Sequence, residues 1–246
     1  MHVRSRRRKT PLYKSHRLLH ALMALCVAGI LLFGFLLIHS NQEYLQGDVA
    51  YEQVRAADDT ASKIDFTALK AINSDTVGWI LAEGSAIDYP IVLGNDNEYY
   101  LSHLFNRQRN KLGAIFMDYR NSGGFTDKNT VIYGHNMKDG SMFSSLTKYK
   151  EQGYYERLPT MALYTPEGDY TIELFAGVVA DGDYEFVRFG FIDDADFQDY
   201  IHALKEKSTF KSNTRVKADD RIVTLCTCSY EFNNARYALF GRLSLS

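Results

Sequence analysis

The 246-residue chain, 46% hydrophobic and 13% aromatic, is long enough to bury one substantial core, and a single domain is the expectation. Its net charge of −2 conceals an asymmetry: residues 1–40 carry seven Lys and Arg and no acid, leaving 21 basic against 30 acidic residues beyond them. A body that acidic argues against nucleic acid as the main partner.

Residues 1–20 read as a basic cytoplasmic tail. Residues 21–38, ALMALCVAGILLFGFLLI, hold no charge. At about 1.5 Å per helical residue, this run with Leu18 and Leu19 before it spans a hydrocarbon core. It exceeds the roughly 7–15 residues of a signal-peptide apolar region, and no small-x-small cleavage site follows it. An uncleaved transmembrane signal anchor is therefore expected rather than a cleaved signal. Positive charge stays on the cytoplasmic side, which places residues 40–246 outside as the body of a single-pass protein of the cell membrane.

Residues 39–61 are polar and read as a stalk or helical linker, with the extracellular domain proper over 62–246. Phe66, Leu69 and Ile72 have helical spacing, predicting a short helix over 64–73. Short apolar strands follow at 77–81, 87–92, 114–117 and 130–133, separated by turn signals such as Glu83-Gly84 and Ser122-Gly123-Gly124. Between them, 99–105 and 141–149 look helical. Strands at 161–164 and 170–179 flank the Pro166-Glu167-Gly168-Asp169 turn. Residues 193–207 form an amphipathic helix, with Phe197, Ile201 and Leu204 on one face and two aspartates at its start. Closing strands at 222–228 and 236–243 bring the total to seven or eight. Many short strands with few helices favour a closed β-barrel or sandwich over a parallel α/β sheet.

Cysteine usage directs attention to the last two strands. Cys26 lies in the apolar run, which leaves Cys226 and Cys228 in the exported part, too close in sequence to build a disulfide framework. Alternation puts Ile222, Thr224, Cys226 and Cys228 on one strand face, with Cys228 at the strand end. Arg236 stands at the mouth of the next strand, so a thiol and a guanidinium face each other: a nucleophile and an anion-stabilising group.

A cysteine nucleophile needs a proton-transfer partner, most often histidine. His202 sits beside the apolar stripe of its helix, where a solvated position is expected, and His103 lies among aromatics. His135 leaves a strand just after Gly134, where it can overlook a cleft mouth; a loop histidine hydrogen-bonded to backbone is the alternative. Cys226, Cys228 and His135 could also serve zinc, but no fourth ligand is apparent and no metal site is assigned. Cys226 shares the face of Cys228. It is either a small packed residue or a redox partner able to capture an oxidised Cys228, although i and i+2 Cα atoms lie about 6.6 Å apart in a strand, near the limit for a disulfide.

Thr224-Leu225-Cys226-Thr227-Cys228 resembles the Thr-Leu-x-Thr-Cys signature of sortases, the membrane-anchored cysteine transpeptidases of Gram-positive bacteria. Ile132-Tyr133-Gly134-His135-Asn136 is similar to their histidine segment, and Arg236 falls where their arginine belongs. The Cys228-Ser229-Tyr230-Glu231-Phe232 run, the Ala235-to-Leu243 ending, the N-terminal helices and the long helix between late strands are most similar to class B, in which serine is usual at the position of Cys226. The resemblance covers roughly residues 62–246. It implies a closed barrel of about eight strands with Cys228, His135 and Arg236 around one groove and no cofactor. It also implies cleavage of a sorting-signal peptide after threonine through a thioacyl-enzyme, and transfer to the amine of a peptidoglycan precursor or of another protein. Asn97, Tyr133, Thr227 and Tyr184 are implied as substrate-binding residues, the last within a wall formed by 181–191. A cysteine endopeptidase and a catalytically silent, membrane-tethered binding module are the alternatives.

Overall fold

The computed structural model describes residues 12–56, 64–182 and 187–246. The chain divides into two compact units, Met1–Leu45 and Gln46–Ser246. One helix, α1 (Leu12–Ala56), begins in the first unit and ends in the second. Its N-terminal part has the length and composition to cross a membrane, and Leu22, Leu25, Ile30, Phe33 and Leu36 are all exposed along it. Of the residues expected to form a stalk, 39–56 continue the same helix, and 57–61 lie outside the described residues. Within the second unit its last turns pack on the body: Tyr51 and Val54 are buried, and the Tyr51 hydroxyl donates to the Gly113 carbonyl at 2.8 Å.

Eight strands form the body: β1 (Thr76–Leu81), β2 (Asp88–Leu93), β3 (Ile115–Met117), β4 (Asn129–Tyr133), β5 (Thr160–Thr165), β6 (Gly168–Asp181), β7 (Arg221–Cys228) and β8 (Ala235–Leu245). They close into a barrel in the order β1-β2-β3-β4-β7-β8-β6-β5. The β2·β3 and β4·β7 pairs are parallel and the rest antiparallel. Among the described residues, closure leaves no long unpaired strand edge. The strands are legible because they alternate or run apolar, and Ile80, Ile91, Val131, Val223, Leu225 and Leu239 are fully buried.

Three further helices accompany the barrel: α2 (Phe66–Ile72), α3 (Gln152–Arg157) and α4 (Asp194–Glu206). The Asp193 carboxylate caps α4 by accepting from the Asp196 amide at 2.9 Å, and Asp194 and Asp196 lie at the positive end of its dipole. Phe197, Tyr200, Ile201 and Leu204 then pack against Phe175, Val178, Ile222, Cys226, Ala238 and Phe240 of β6, β7 and β8. At about 1.5–3 kcal/mol per fully buried large apolar side chain, this packing rather than helix propensity holds α4 in place.

Two predicted helices are much tighter objects. The expected helix over 99–105 is a single 3₁₀ turn, Tyr99–Leu101. Its carbonyls are diverted: Tyr100 O accepts from the Ala114 amide and Ser102 O from the Asn110 amide, so no α-helical ladder can propagate. The segment expected over 141–149 is a 3₁₀ helix, Ser144–Lys150. The polar, glycine-containing α3 was not foreseen, having no apolar stripe to betray it.

Candidate active site

The strand register assembles the site. Cys228 of β7 pairs directly with Arg236 of β8, and Arg236 in turn with Ala180 of β6. On the other side of β7, Tyr133 of β4 is in register with Cys226, and the Gly134 amide donates to the Cys226 carbonyl at 3.1 Å, carrying the ladder one step past the strand. His135 follows two residues after Tyr133, just beyond the end of β4. Cys228, Arg236 and Ala180 form one row across three strands, with Tyr133, Cys226, Ala238 and Val178 as the row beneath. Directly opposed residues have Cβ atoms about 4.5–5.5 Å apart, so the two side chains leave the sheet side by side.

Backbone contacts fix that row. The Asn136 side-chain amide donates to the Cys228 carbonyl at 2.9 Å, and the Ser229 amide donates to the Ala235 carbonyl at 2.8 Å. Cys228 is half-buried, and Arg236 turns one nitrogen onto the Ala235 carbonyl at 3.1 Å. His135 Nε2 lies 2.7 Å from the Leu101 carbonyl. A carbonyl only accepts, so Nε2 carries the hydrogen and Nδ1 is the nitrogen free to take or give a proton.

Two glycines make this geometry possible. A Cβ at Gly134 would lie 2.5 Å from Ile115 Cδ1 and 2.7 Å from Phe143 Cγ. Gly113 has φ +62, and a Cβ there would lie 2.6 Å from the Tyr100 carbonyl, 2.9 Å from the Leu101 carbonyl and 3.1 Å from His135 Cδ2. Only glycine lets this loop press the Leu101 carbonyl onto the histidine.

The residues expected to bind substrate have different surroundings. Asn97 and Tyr133 meet at Asp118, whose side chain is fully buried. Asp118 accepts from Asn97 Nδ2 at 2.9 Å, from the Tyr133 hydroxyl at 3.0 Å and from two Arg120 nitrogens at 2.8 Å each. Burial pushes this carboxyl up, but the bonds from Arg120, Asn97 and Tyr133 outweigh it and hold the group below the usual range. Burial and then the Asp118 charge push the Tyr133 phenol up, keeping it neutral. Arg120 also covers the Phe189 ring at 4.0 Å. Asp118 escaped the sequence reading because it is a single acid following a three-residue strand, with partners up to 21 residues away.

Thr227 is buried, and its hydroxyl donates to the Gly134 carbonyl at 2.7 Å, which makes it a brace between β7 and the histidine segment. Thr224 donates to Asn129 Oδ1 at 2.8 Å, and Asn129 Nδ2 donates to the Arg188 carbonyl at 2.7 Å, tying β7 to the segment expected to wall the groove. Arg188 is held by Asp196 through bonds of 2.9 and 2.6 Å. Tyr184, expected in the same wall, lies outside the described residues. A groove of about 540 Å³ between β6 and α4 is lined by Val178, Ala180, Tyr200, Leu204 and Phe232, and adjoins the row of Cys228 and Arg236 at Ala180.

The other candidates separate cleanly. His202 is exposed on α4. His103 stacks on Tyr99 with ring centroids 4.0 Å apart, and its Nδ1 lies 2.7 Å from the Tyr99 carbonyl, so it serves its own turn. Cys226 is buried in the cluster beneath α4, and burial pushes its thiol up to about 12, with the Arg236 charge opposing and Cys228 adding to the shift. Among the described residues, no three His, Cys, Asp or Glu side chains converge in a metal-holding group.

Known proteins resemble this chain in sequence and in fold. The sequence model of the sortase family, described as a sortase domain, matches residues 82–244. Sortase B of Listeria monocytogenes serovar 1/2a is 41% identical over 177 residues, covering 71% of this chain and 72% of its own. Sortase B of Staphylococcus aureus is 32% identical over 219 residues, covering 86% and 90%. Among solved structures, a Staphylococcus aureus sortase B–substrate complex superposes with a TM-score of 0.76 at 30% identity, over 83% of this chain and 99% of that one. A Bacillus anthracis protein described as similar to sortase B gives 0.76 at 31% identity, over 82% and 98%. The closed eight-strand barrel and these likenesses place the chain in the sortase family, as a class B sortase and hence a cysteine transpeptidase.

Proposed function

We propose that Cys228, His135 and Arg236 carry the transpeptidation and that the substrate is a sorting-signal peptide of a secreted protein, cleaved after threonine. The observation that supports this most is the rung on which strand register sets Cys228 opposite Arg236, with the histidine segment bonded to β7 beside it through Gly134 and Asn136. The Cys228 thiolate attacks the threonine carbonyl carbon; a C–S bond forms as the carbonyl electrons move to oxygen. Arg236 lies opposite the thiol and faces the negative oxygen with a cation. The Ser229 amide is already engaged by the Ala235 carbonyl, so the guanidinium is the donor best placed for that charge. Collapse of the intermediate breaks the C–N bond, and the leaving amine takes its proton from His135 Nδ1. The resulting thioester is attacked by the amine of a cell-wall precursor, which returns a proton to His135 while the thiolate leaves.

Asn97, Tyr133 and the 187–191 segment line the path of the peptide, with Asp118 holding the first two in place. Thr227 acts through the histidine segment and not on the peptide. The apolar stretch of α1 anchors the enzyme in the cell membrane with its N-terminus cytoplasmic and its body outside. A sorting peptide incubated with the enzyme, with and without a primary amine acceptor, tests the reading: the account expects the acceptor–peptide product to replace hydrolysed peptide. Hydrolysis unaffected by saturating amine would make the protein a protease.

A further inference from the structure

We propose that Lys150 and Glu231 form a clip that positions the Cys228–Arg236 rung for transfer. The catalytic role of that rung is the reading given above. The loop between β7 and β8 has little apolar anchorage of its own, since Tyr230 is 75% and Phe232 47% exposed. Its anchorage is polar. Lys150, the last residue of the 3₁₀ helix before α3, donates to Ser229 Oγ at 2.8 Å and pairs with the Glu231 carboxylate, while Ser229 Oγ donates to the other Glu231 oxygen. Ser229 is buried, so its hydroxyl has no water to fall back on.

The same ammonium lies 5.3 Å from the centroid of the Tyr237 ring. Tyr237 is fully buried and its hydroxyl is bonded to Thr209 Oγ1 at 2.8 Å, which makes that ring a fixed platform. One lysine thus touches residue 229 on the β7 arm and residue 237 on the β8 arm, each one position from a member of the rung. Burial pushes the Glu231 carboxyl up, but its bonds to Lys150 and Ser229 prevail and bring it down to about 2, so its carboxylate stays ionised near neutral pH. Neither side chain touches the reacting atoms. The clip acts by keeping thiol and guanidinium opposed, and displacements of about 1 Å at such a site cost up to roughly 10²-fold in rate.

The full chain in detergent is compared with Lys150→Met, Glu231→Gln, the double variant and Lys150→Arg. The expected result is a kcat lowered roughly tenfold in each single variant with KM within about twofold, and a double variant no worse than either single. Lys150→Arg should recover most of the loss. A second readout needs no sorting peptide: iodoacetamide labelling of Cys228 at pH 7, followed by mass spectrometry, should slow at least about threefold in both single variants, because a guanidinium no longer held opposite stabilises the thiolate less. Variants that lose Tm but keep wild-type kcat and labelling rates would overturn the proposal, as would a raised KM with unchanged kcat. If the wild type transferred no peptide, the functional reading would fail while the labelling arm still decided the clip.

Discussion

Cys228 and Arg236 share a rung, and the β4·β7 ladder runs one step past β4 to Gly134, the residue before His135. His135→Ala should lower turnover by about 10²–10⁴-fold through lost proton transfer. Arg236→Ala should cost about 10²–10³-fold through the lost oxyanion donor. His103→Ala should be near neutral in steady-state assays, because that ring serves its own turn. The reverse ranking of the two histidines would refute the assignment. Cys226 tests the alternative use of a thiol. It sits within the apolar cluster under α4, so packing explains it without redox chemistry. Cys226→Ser should cost about 1–3 kcal/mol in denaturant melts, because it puts a hydroxyl into a buried cluster of apolar side chains. After mild peroxide, wild type and variant should show the same over-oxidation of Cys228 by intact mass; a reversible two-dalton loss, roughly one disulfide, in wild type alone would instead make Cys226 its redox partner.

At the scale of elements, the loop that ends at Gly113 connects barrel packing to the histidine. Its carbonyl accepts from Tyr51 of α1, while its missing side chain lets Leu101 O meet His135 Nε2. Gly113→Ala must relieve contacts with two backbone carbonyls and a left-handed φ, so a loss of about 1–3 kcal/mol is expected. Turnover should fall roughly tenfold with little change in KM, since the histidine rather than the peptide groove is displaced. Wild-type turnover in a destabilised variant would show that the Leu101 contact is dispensable. The sequence announced what repeats locally: the alternating or apolar strands, the stripe of Phe197, Ile201 and Leu204, and a thiol and an arginine at the facing ends of consecutive strands. It was silent on partners far apart in the chain, such as Leu101 with His135, Asp118 with Asn97, and Lys150 with Glu231. It also overstated helix at 99–105, where the carbonyls bond to the 110–114 segment instead of to the next turn.

For the whole molecule, a basic, acid-free first 40 residues and an acidic remainder fit an enzyme tethered by its N-terminus and working outside. Full-length protein should therefore partition with membranes, and protease added to intact cells should digest the body. Release of the body by cleavage near residue 40 in its native host would mean that the apolar run is a signal and not an anchor. The central claim is that Cys228 forms the acyl-enzyme, and intact mass spectrometry reads it directly. The full chain is incubated in detergent with a sorting peptide and no amine acceptor, then quenched in acid. The account predicts a hydroxylamine-sensitive adduct with the mass of the peptide's N-terminal fragment, mapped to Cys228 and missing from Cys228→Ala. An adduct that persists in Cys228→Ala, or peptide turnover by that variant, would contradict it.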